Sequence, residues 1–164
     1  MKVSVIIPAL NEEKSLGVLL PQLRQMPGIG EFVVCDGGSS DQTVEIARQL
    51  GAKIVHARGG RGPQMNVGAQ ISGGDILWFL HADALPHPHS VLHLRAALRD
   101  NRVLGGNFRL RFDSNLKIAR SFEILARVQR HCGMYYGDSG IWLRRDVWNE
   151  IGEFAAWPLF EDYD

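Results

Sequence analysis

Residues 75–89 read DILWFLHADALPHPH, and the junction inside them decides the fold. Ile76 to Leu80 form an unbroken apolar run, the pattern of a strand buried on both faces of a parallel sheet. The run stops on His81-Ala82-Asp83, and two prolines and two more histidines follow. An apolar strand that ends on an imidazole and a carboxylate calls for a reason. Open α/β sheets bind ligands outside the carboxyl ends of their parallel strands.

Three comparable strands precede this one. KVSVIIPA (2–9) reads as a buried strand stopped by Pro8. Asn11 then offers an N-cap to a helix with Leu16, Leu19, Leu20, Leu23 and Met26 on one face. EFVVCD (31–36) is the second strand, and in the following DGGSSDQT loop Asp41 can cap a helix carrying Val44, Ala47 and Leu50. Gly51 stops that helix. AKIVHA (52–57) is the third strand. RGGRGPQMNVGAQISGG (58–74) is a glycine-rich loop entering a helix, with Pro63 suited to its first turn. After the fourth strand a helix is expected around Val91, Leu94 and Leu98. Four strand–helix alternations imply an α/β, doubly wound, mainly parallel sheet with right-handed crossovers.

The second half changes character. VLGGNFRLRF (103–112) reads as a longer strand, compatible with an antiparallel addition. A helix is expected around Ile118, Ala119, Phe122, Leu125 and Ala126, and GIWLRR (140–145) as another short strand. PLFEDYD (158–164) looks like the start of a new element, so the chain is expected to be truncated at its C-terminus. No repeat or linker divides the chain, and one domain is expected over residues 1–164.

Bulk properties narrow the function. Apolar residues make up 45% and charged residues 22%, a globular balance. Eighteen basic residues match 18 acidic ones, so no global field attracts nucleic acid, and any anion site must be local. Cys35 and Cys132 are expected to be reduced thiols. The N-terminal apolar run is broken by Pro8 and Asn-Glu-Glu, unlike a signal peptide, and no run reaches the roughly 20 residues that span a bilayer. A cytoplasmic protein is expected.

In a parallel sheet the four strand ends share one edge. That edge would gather Asn11 and Glu12, then Asp36, Gly37, Gly38 and Ser39, then Arg58 and Arg61, then His81 and Asp83. Guanidiniums suit phosphate oxygens. Carboxylates suit ribose hydroxyls, a base N–H or a hard cation. The set points to a nucleotide diphosphate with a divalent metal. PALNEE after the first strand excludes the G-x-G-x-x-G dinucleotide fingerprint, and no P-loop is present. His89 and His93 share a helical face, but no cysteine pair accompanies them as in a structural zinc site.

VSVIIPALNEE, FVVCDGGSSDQT, GRGPQMNVGAQISGGDILWFLHAD and the late FED, in this order and spacing, resemble the family 2 glycosyltransferases of the GT-A fold, most closely short bacterial members. The resemblance implies a Rossmann-like nucleotide-binding half (1–100) and an acceptor-side half (101–164). It implies an inverting transferase that moves a sugar from a nucleotide-diphosphate donor, usually a UDP-sugar, to an acceptor hydroxyl. By motif, Pro8, Leu10 and Glu12 would border the nucleotide, Asp36 would face the base, and Arg61 and Asn66 would line the pocket. His81-Ala82-Asp83 takes the place of the family's Asp-x-Asp. His81 would face the nucleotide, and Asp83 would bind Mn²⁺ or Mg²⁺. Asp162 would act as base, with Gly137-Asp138 shaping the acceptor side. The chemistry is consistent: a metal stabilises a departing diphosphate without a proton, so only one base is needed. A glycosidase, by contrast, needs two carboxyl groups.

The alternative is a non-catalytic nucleotide-sugar binding module, which the His81 substitution favours. A nucleotidyltransferase would need a glycine-rich basic loop after the first strand, and PALNEEKS is not one. The acceptor is expected to be a glycan, lipid or small molecule. A lipid acceptor would bring peripheral contact at the inner face of the membrane. Apolar surface left uncovered by missing helices would favour a homo-oligomer.

Overall fold

The structure, a computed structural model, describes residues 1–109 and 140–154. Its elements run β1 (Val3–Ala9), α1 (Glu13–Arg24), β2 (Ile29–Asp36), α2 (Thr43–Gln49), β3 (Lys53–His56), α3 (Arg61–Ile71) and β4 (Ile76–Phe79). They continue with α4 (Ser90–Ala97), β5 (Gly105–Gly106), β6 (Trp142–Arg144) and α5 (Arg145–Ile151). The strands form one six-stranded sheet in the order β3-β2-β1-β4-β6-β5. β1 to β4 are mutually parallel, and β6 and β5 add antiparallel to β4.

Alternation along each strand builds two cores. Val3, Val5 and Ile7 of β1 join Ile76 and Trp78 of β4 beneath α1, α2 and α4. Ile6, Val33, Cys35, Leu77 and Phe79 point the other way, beneath α3 and α5. Because β1 is covered on both faces, all seven of its residues are buried, and each large apolar one stabilises the fold by roughly 1.5–3 kcal/mol. On α1, Leu16, Leu19, Leu20 and Leu23 are buried as their spacing requires. Helix α3 approaches the sheet so closely that a Cβ on Gly68 would lie 2.5 Å from Cys35 Sγ and 2.6 Å from Ile6 Cγ2. Burial there pushes the Cys35 thiol up to about 12, so it is a packing group.

Several local expectations are corrected. Pro8 does not stop β1; it pairs in register with Cys35, and the strand runs to Ala9. Ile6 O accepts from Leu80 N on the β4 side, whereas Ala9 O accepts from Gly37 N on the β2 side. Alternation therefore turns Pro8 toward β4, whose register with β1 ends at Ile6↔Phe79, and its missing N–H breaks no ladder bond. Asn11 is not the cap of α1: it has φ 56°, and Glu12 occupies the cap position without a side-chain bond. The 103–112 segment forms a strand of only two residues within the described part, although its antiparallel sense is as expected. Helix α5 was not foreseen; it begins directly after β6 and ends at Gly152, φ 86°. The helix expected around 118–126, Cys132, Gly137, Asp138 and Asp162 lie outside the described residues.

Candidate active site at the carboxyl edge of the sheet

Strand order reverses beside β1. α1 and α2 carry the chain outward to β2 and β3 on one face, and α3 returns it across the other face to β4. The carboxyl ends of β1 and β4 thus flank the topological switch point, where ligands bind in open α/β sheets. Pro8, Leu10 and Glu12 lie on one side of it, His81 and Asp83 on the other. Leu10 is 51% exposed despite being apolar, and Pro8 is buried.

The loops after β1 and β2 are laced together by polar bonds. Asn11 N donates to Ser39 Oγ at 2.9 Å, and Ser40 N donates to Asn11 Oδ1 at 2.9 Å. Glu12 N donates to Thr43 Oγ1 at 2.7 Å. Asp41 accepts from Glu13 N and Thr43 N, so one carboxylate serves the first turns of both α1 and α2. Desolvation would raise its pKa, but these hydrogen bonds outweigh it and the pKa falls below the usual value. The left-handed conformation of Asn11, which an asparagine tolerates, is what directs its amide into this lacing.

Asp36 ends β2 and is only 2% exposed. Its carboxylate accepts from Gly38 N at 3.1 Å, from Ser39 N at 3.1 Å and from His56 Nδ1 at 3.1 Å. Burial works against its charge, yet the donors of Ser39, His56 and Gly38 prevail and lower the pKa. Gln64 of α3 reaches the same corner and donates to Ala9 O at 3.1 Å. A Cβ on Gly37 would lie 2.6 Å from Gln64 Nε2, so only glycine lets the helix side chain in. The Arg58 guanidinium passes over Gly38, 3.6 Å from where a Cβ would stand. Arg61 is the first residue of α3, not a strand-end residue.

The β4–α4 connection is a turn in which Ala84 N donates to His81 O at 3.2 Å. Ala82 is buried and anchors the turn, while Asp83 at its tip is exposed and His81 is half-buried. Among the described residues no group of three His, Cys, Asp or Glu side chains could hold a metal ion, the 87–93 histidines included. A divalent ion at Asp83 would therefore take most of its oxygen ligands from phosphate and water, the usual habit of Mg²⁺ in nucleotide sites. A single exposed carboxylate with a neighbouring imidazole fits that arrangement.

Asn66 is bonded across the chain to the segment after α5. Its Nδ2 donates to Phe154 O at 2.9 Å and its Oδ1 accepts from Phe154 N at 2.9 Å. Phe154 also packs edge-on against Phe79 at 5.0 Å, and Gln70 bonds Glu153. Sequence reasoning also passed over His56 and Gln64. His56 could have been found, since it ends the third strand as Asp36 ends the second.

The family model described as Glycosyl transferase family 2 matches residues 4–156. The chain belongs to this family. Among curated relatives of this family-2 chain, an undecaprenyl-phosphate 4-deoxy-4-formamido-L-arabinose transferase of Aeromonas hydrophila is 32% identical over 87% of the chain and 48% of the relative. A 4,4'-diaponeurosporenoate glycosyltransferase of Staphylococcus haemolyticus is 42% identical over 49% of the chain and 24% of the relative. The chain thus spans half or less of the length of these relatives. Glucosyl-3-phosphoglycerate synthase from Mycobacterium tuberculosis, solved with UDP, has TM-score 0.68 at 25% identity, covering 89% of this chain and 57% of that one. A mannosyltransferase from Pyrobaculum calidifontis, solved with GDP-Man and Mn²⁺, has TM-score 0.74 at 22% identity, covering 94% and 48%; that likeness is one of fold. The architecture is that of the GT-A glycosyltransferases. No helix of the described residues is long and apolar enough to cross a membrane.

Proposed function

We propose that this family-2 chain carries the donor site of an inverting glycosyltransferase that takes a nucleotide-diphosphate sugar, with UDP as the nucleotide. The observation that carries this reading is the exposed Asp83 at the switch point, across β1 from loops organised around the buried Asp36. Pro8, Leu10 and Glu12 border the nucleotide, Asp36 reads the base, and Arg61, with Arg58, meets phosphate oxygens. Asn66 contributes by tying Phe154 to α3. When bound at Asp83, Mn²⁺ or Mg²⁺ supplies Lewis-acid stabilisation of the departing diphosphate. His81 lies two residues from Asp83 and hydrogen-bonds the nucleotide. Asp162, by its motif, takes the proton of the acceptor hydroxyl. The acceptor is a lipid, glycan or small molecule; a lipid acceptor would place the protein at the cytoplasmic face of a membrane. A UDP complex of a 25%-identical relative supports the nucleotide assignment.

His81 in place of the usual first aspartate supports a second reading, binding of a nucleotide sugar without turnover. Calorimetric titration of UDP and GDP with Mn²⁺, Mg²⁺ or chelator, on the native chain and an Asp83→Ala variant, tests the donor site. Metal-dependent binding lost in the variant is the expected result; no binding under any condition would refute it. Release of UDP from a panel of UDP-sugars, abolished by Asp162→Asn, separates transfer from binding alone.

A further inference from the structure

Beyond the acidic motifs, the outer corner of the site holds a residue, His56, that the donor reading does not use. β2 and β3 are in register at Asp36↔His56, the last residues of both strands. In-register neighbours of a parallel pair point to the same face, about 4.8 Å apart. Here the distance closes to 3.1 Å between His56 Nδ1 and Asp36 Oδ2. The two side chains differ sharply in exposure: 70% for His56 and 2% for Asp36.

We propose that His56 is a positioning residue for the base end of the donor site, fixing the Asp36 carboxylate as an acceptor that sorts nucleobases by whether they present an N–H. This rests on the donor reading above. An ionised carboxylate only accepts hydrogen bonds, so the bond to His56 requires a proton on Nδ1. Oδ2 then accepts from Gly38 N, His56 Nδ1 and, at 3.3 Å, Ser39 N, which fills it. Oδ1 accepts from Ser39 N, and although the Ser39 side chain also bonds the carboxylate, Oδ1 is the less committed oxygen. His56 thus decides which oxygen is committed to the loop and which is available. The lowered pKa of Asp36 agrees, because it keeps the group ionised. Uracil and guanine present N–H at the ring position between their exocyclic groups, whereas cytosine and adenine present a lone pair there. A fixed acceptor therefore favours uridine and guanosine diphosphates and repels the lone-pair edge of the other two.

UDP and CDP differ only at that edge, so their ratio of affinities is the readout. Calorimetry with Mn²⁺ would compare the native chain with His56→Phe, which keeps a ring without a donor, and His56→Asn, whose amide N–H can reach the same oxygen. Thermal melting would show that each variant is folded. The expected result is a native preference for UDP of at least about tenfold. His56→Phe should lower UDP affinity about five- to tenfold with CDP affinity unchanged, and His56→Asn should restore most of the difference. An unchanged ratio in His56→Phe, or equal weakening of both nucleotides, would overturn the inference while leaving the donor site standing. Binding of neither nucleotide by the native chain would defeat the donor reading itself, and this inference with it. Independently, ¹⁵N NMR should show His56 as the Nδ1–H tautomer, and in Asp36→Asn that preference should disappear; an Nε2–H tautomer in the native chain would contradict the pairing.

Discussion

β2 carries a carboxylate toward each end of the sheet, and the two are treated in opposite ways. At the amino edge, Glu31 takes Lys53 Nζ at 2.6 Å, Ser4 Oγ at 2.7 Å and Gly73 N at 2.6 Å. Ser4 Oγ in turn accepts from Gly74 N at 2.9 Å. Arg145 closes the same edge, donating to Gly74 O, Ala69 O and Ser72 Oγ, so the last turn of α3 meets a cation. At the carboxyl edge, Asp36 is held by loop backbone and a largely exposed histidine. No ion pair among the described residues involves Asp83 there. One edge satisfies its charges within the chain. At the other, Asp83 stands exposed at the tip of its turn. The difference teaches that carboxylates at strand ends are to be read by their partners: Glu31 is held by a fixed cation, Asp36 by loop backbone and a histidine, and Asp83 is left exposed.

Variants on the two edges should therefore move different observables. The largest effect belongs to Asp83→Ala, expected to lower transfer about 100-fold or more, since the charge stabilisation it anchors is worth several kcal/mol. Its melting temperature should stay within about 2 °C of native, because the residue is exposed on a turn; a cooperative loss of stability instead would break the contrast. Glu31→Gln should do the reverse, leaving nucleotide affinity intact while lowering stability. Although burial opposes its charge, hydrogen bonds from Lys53, Gly73 and Ser4 bring the Glu31 pKa down from 4.5 to about 2. A depressed carboxylate stabilises the fold above its unfolded pKa and loses that contribution as pH falls from about 4.5 to about 2. The native chain's advantage over the variant should be roughly 3 kcal/mol at most at pH 7, and denaturant melts should show it vanishing near pH 2.

Between the edges, Gly68→Ala should cost about 1–3 kcal/mol by overpacking against Cys35 and Ile6, read as a lower urea midpoint. A neutral result would mean that α3 can lift from the sheet. Smallest is Asn66→Ala, which removes the two bonds to Phe154 and should cost about 1–2 kcal/mol. If UDP affinity also fell more than the loss of stability explains, Asn66 would belong to the pocket wall that its motif implies.

Much of the first half was legible because its signals are local. The leucine face of α1, the unbroken apolar strands and the polar residue after each strand all lie within a few residues of the element they define. Neighbouring contacts could not give the rest. Pro8 fits inside β1 because β4 ends short beside it, which depends on the register of a strand some 70 residues away. Asn11 looked like a cap, but Ser39 and Ser40 on another loop recruit it. Asn66 and Phe154 are 88 residues apart, and nothing in either segment announces their pairing. Among the site residues, the convergence of Glu12, Asp36 and Asp83 on one edge followed from parallel topology alone. The bond between Asp36 and His56 required the register of β2 with β3.

The central claim is that the carboxyl edge is completed by its ligand, with Asp83 contributing one carboxylate to a metal that the diphosphate otherwise holds. Electron paramagnetic resonance of free Mn²⁺ tests it directly, with the native chain alone, with UDP added, and with Asp83→Ala plus UDP. The account predicts that the free-ion signal persists with protein alone, falls when UDP is added beyond what UDP takes up by itself, and is restored by the variant. Stoichiometric uptake of Mn²⁺ without nucleotide, or uptake with UDP that Asp83→Ala leaves unchanged, would contradict it.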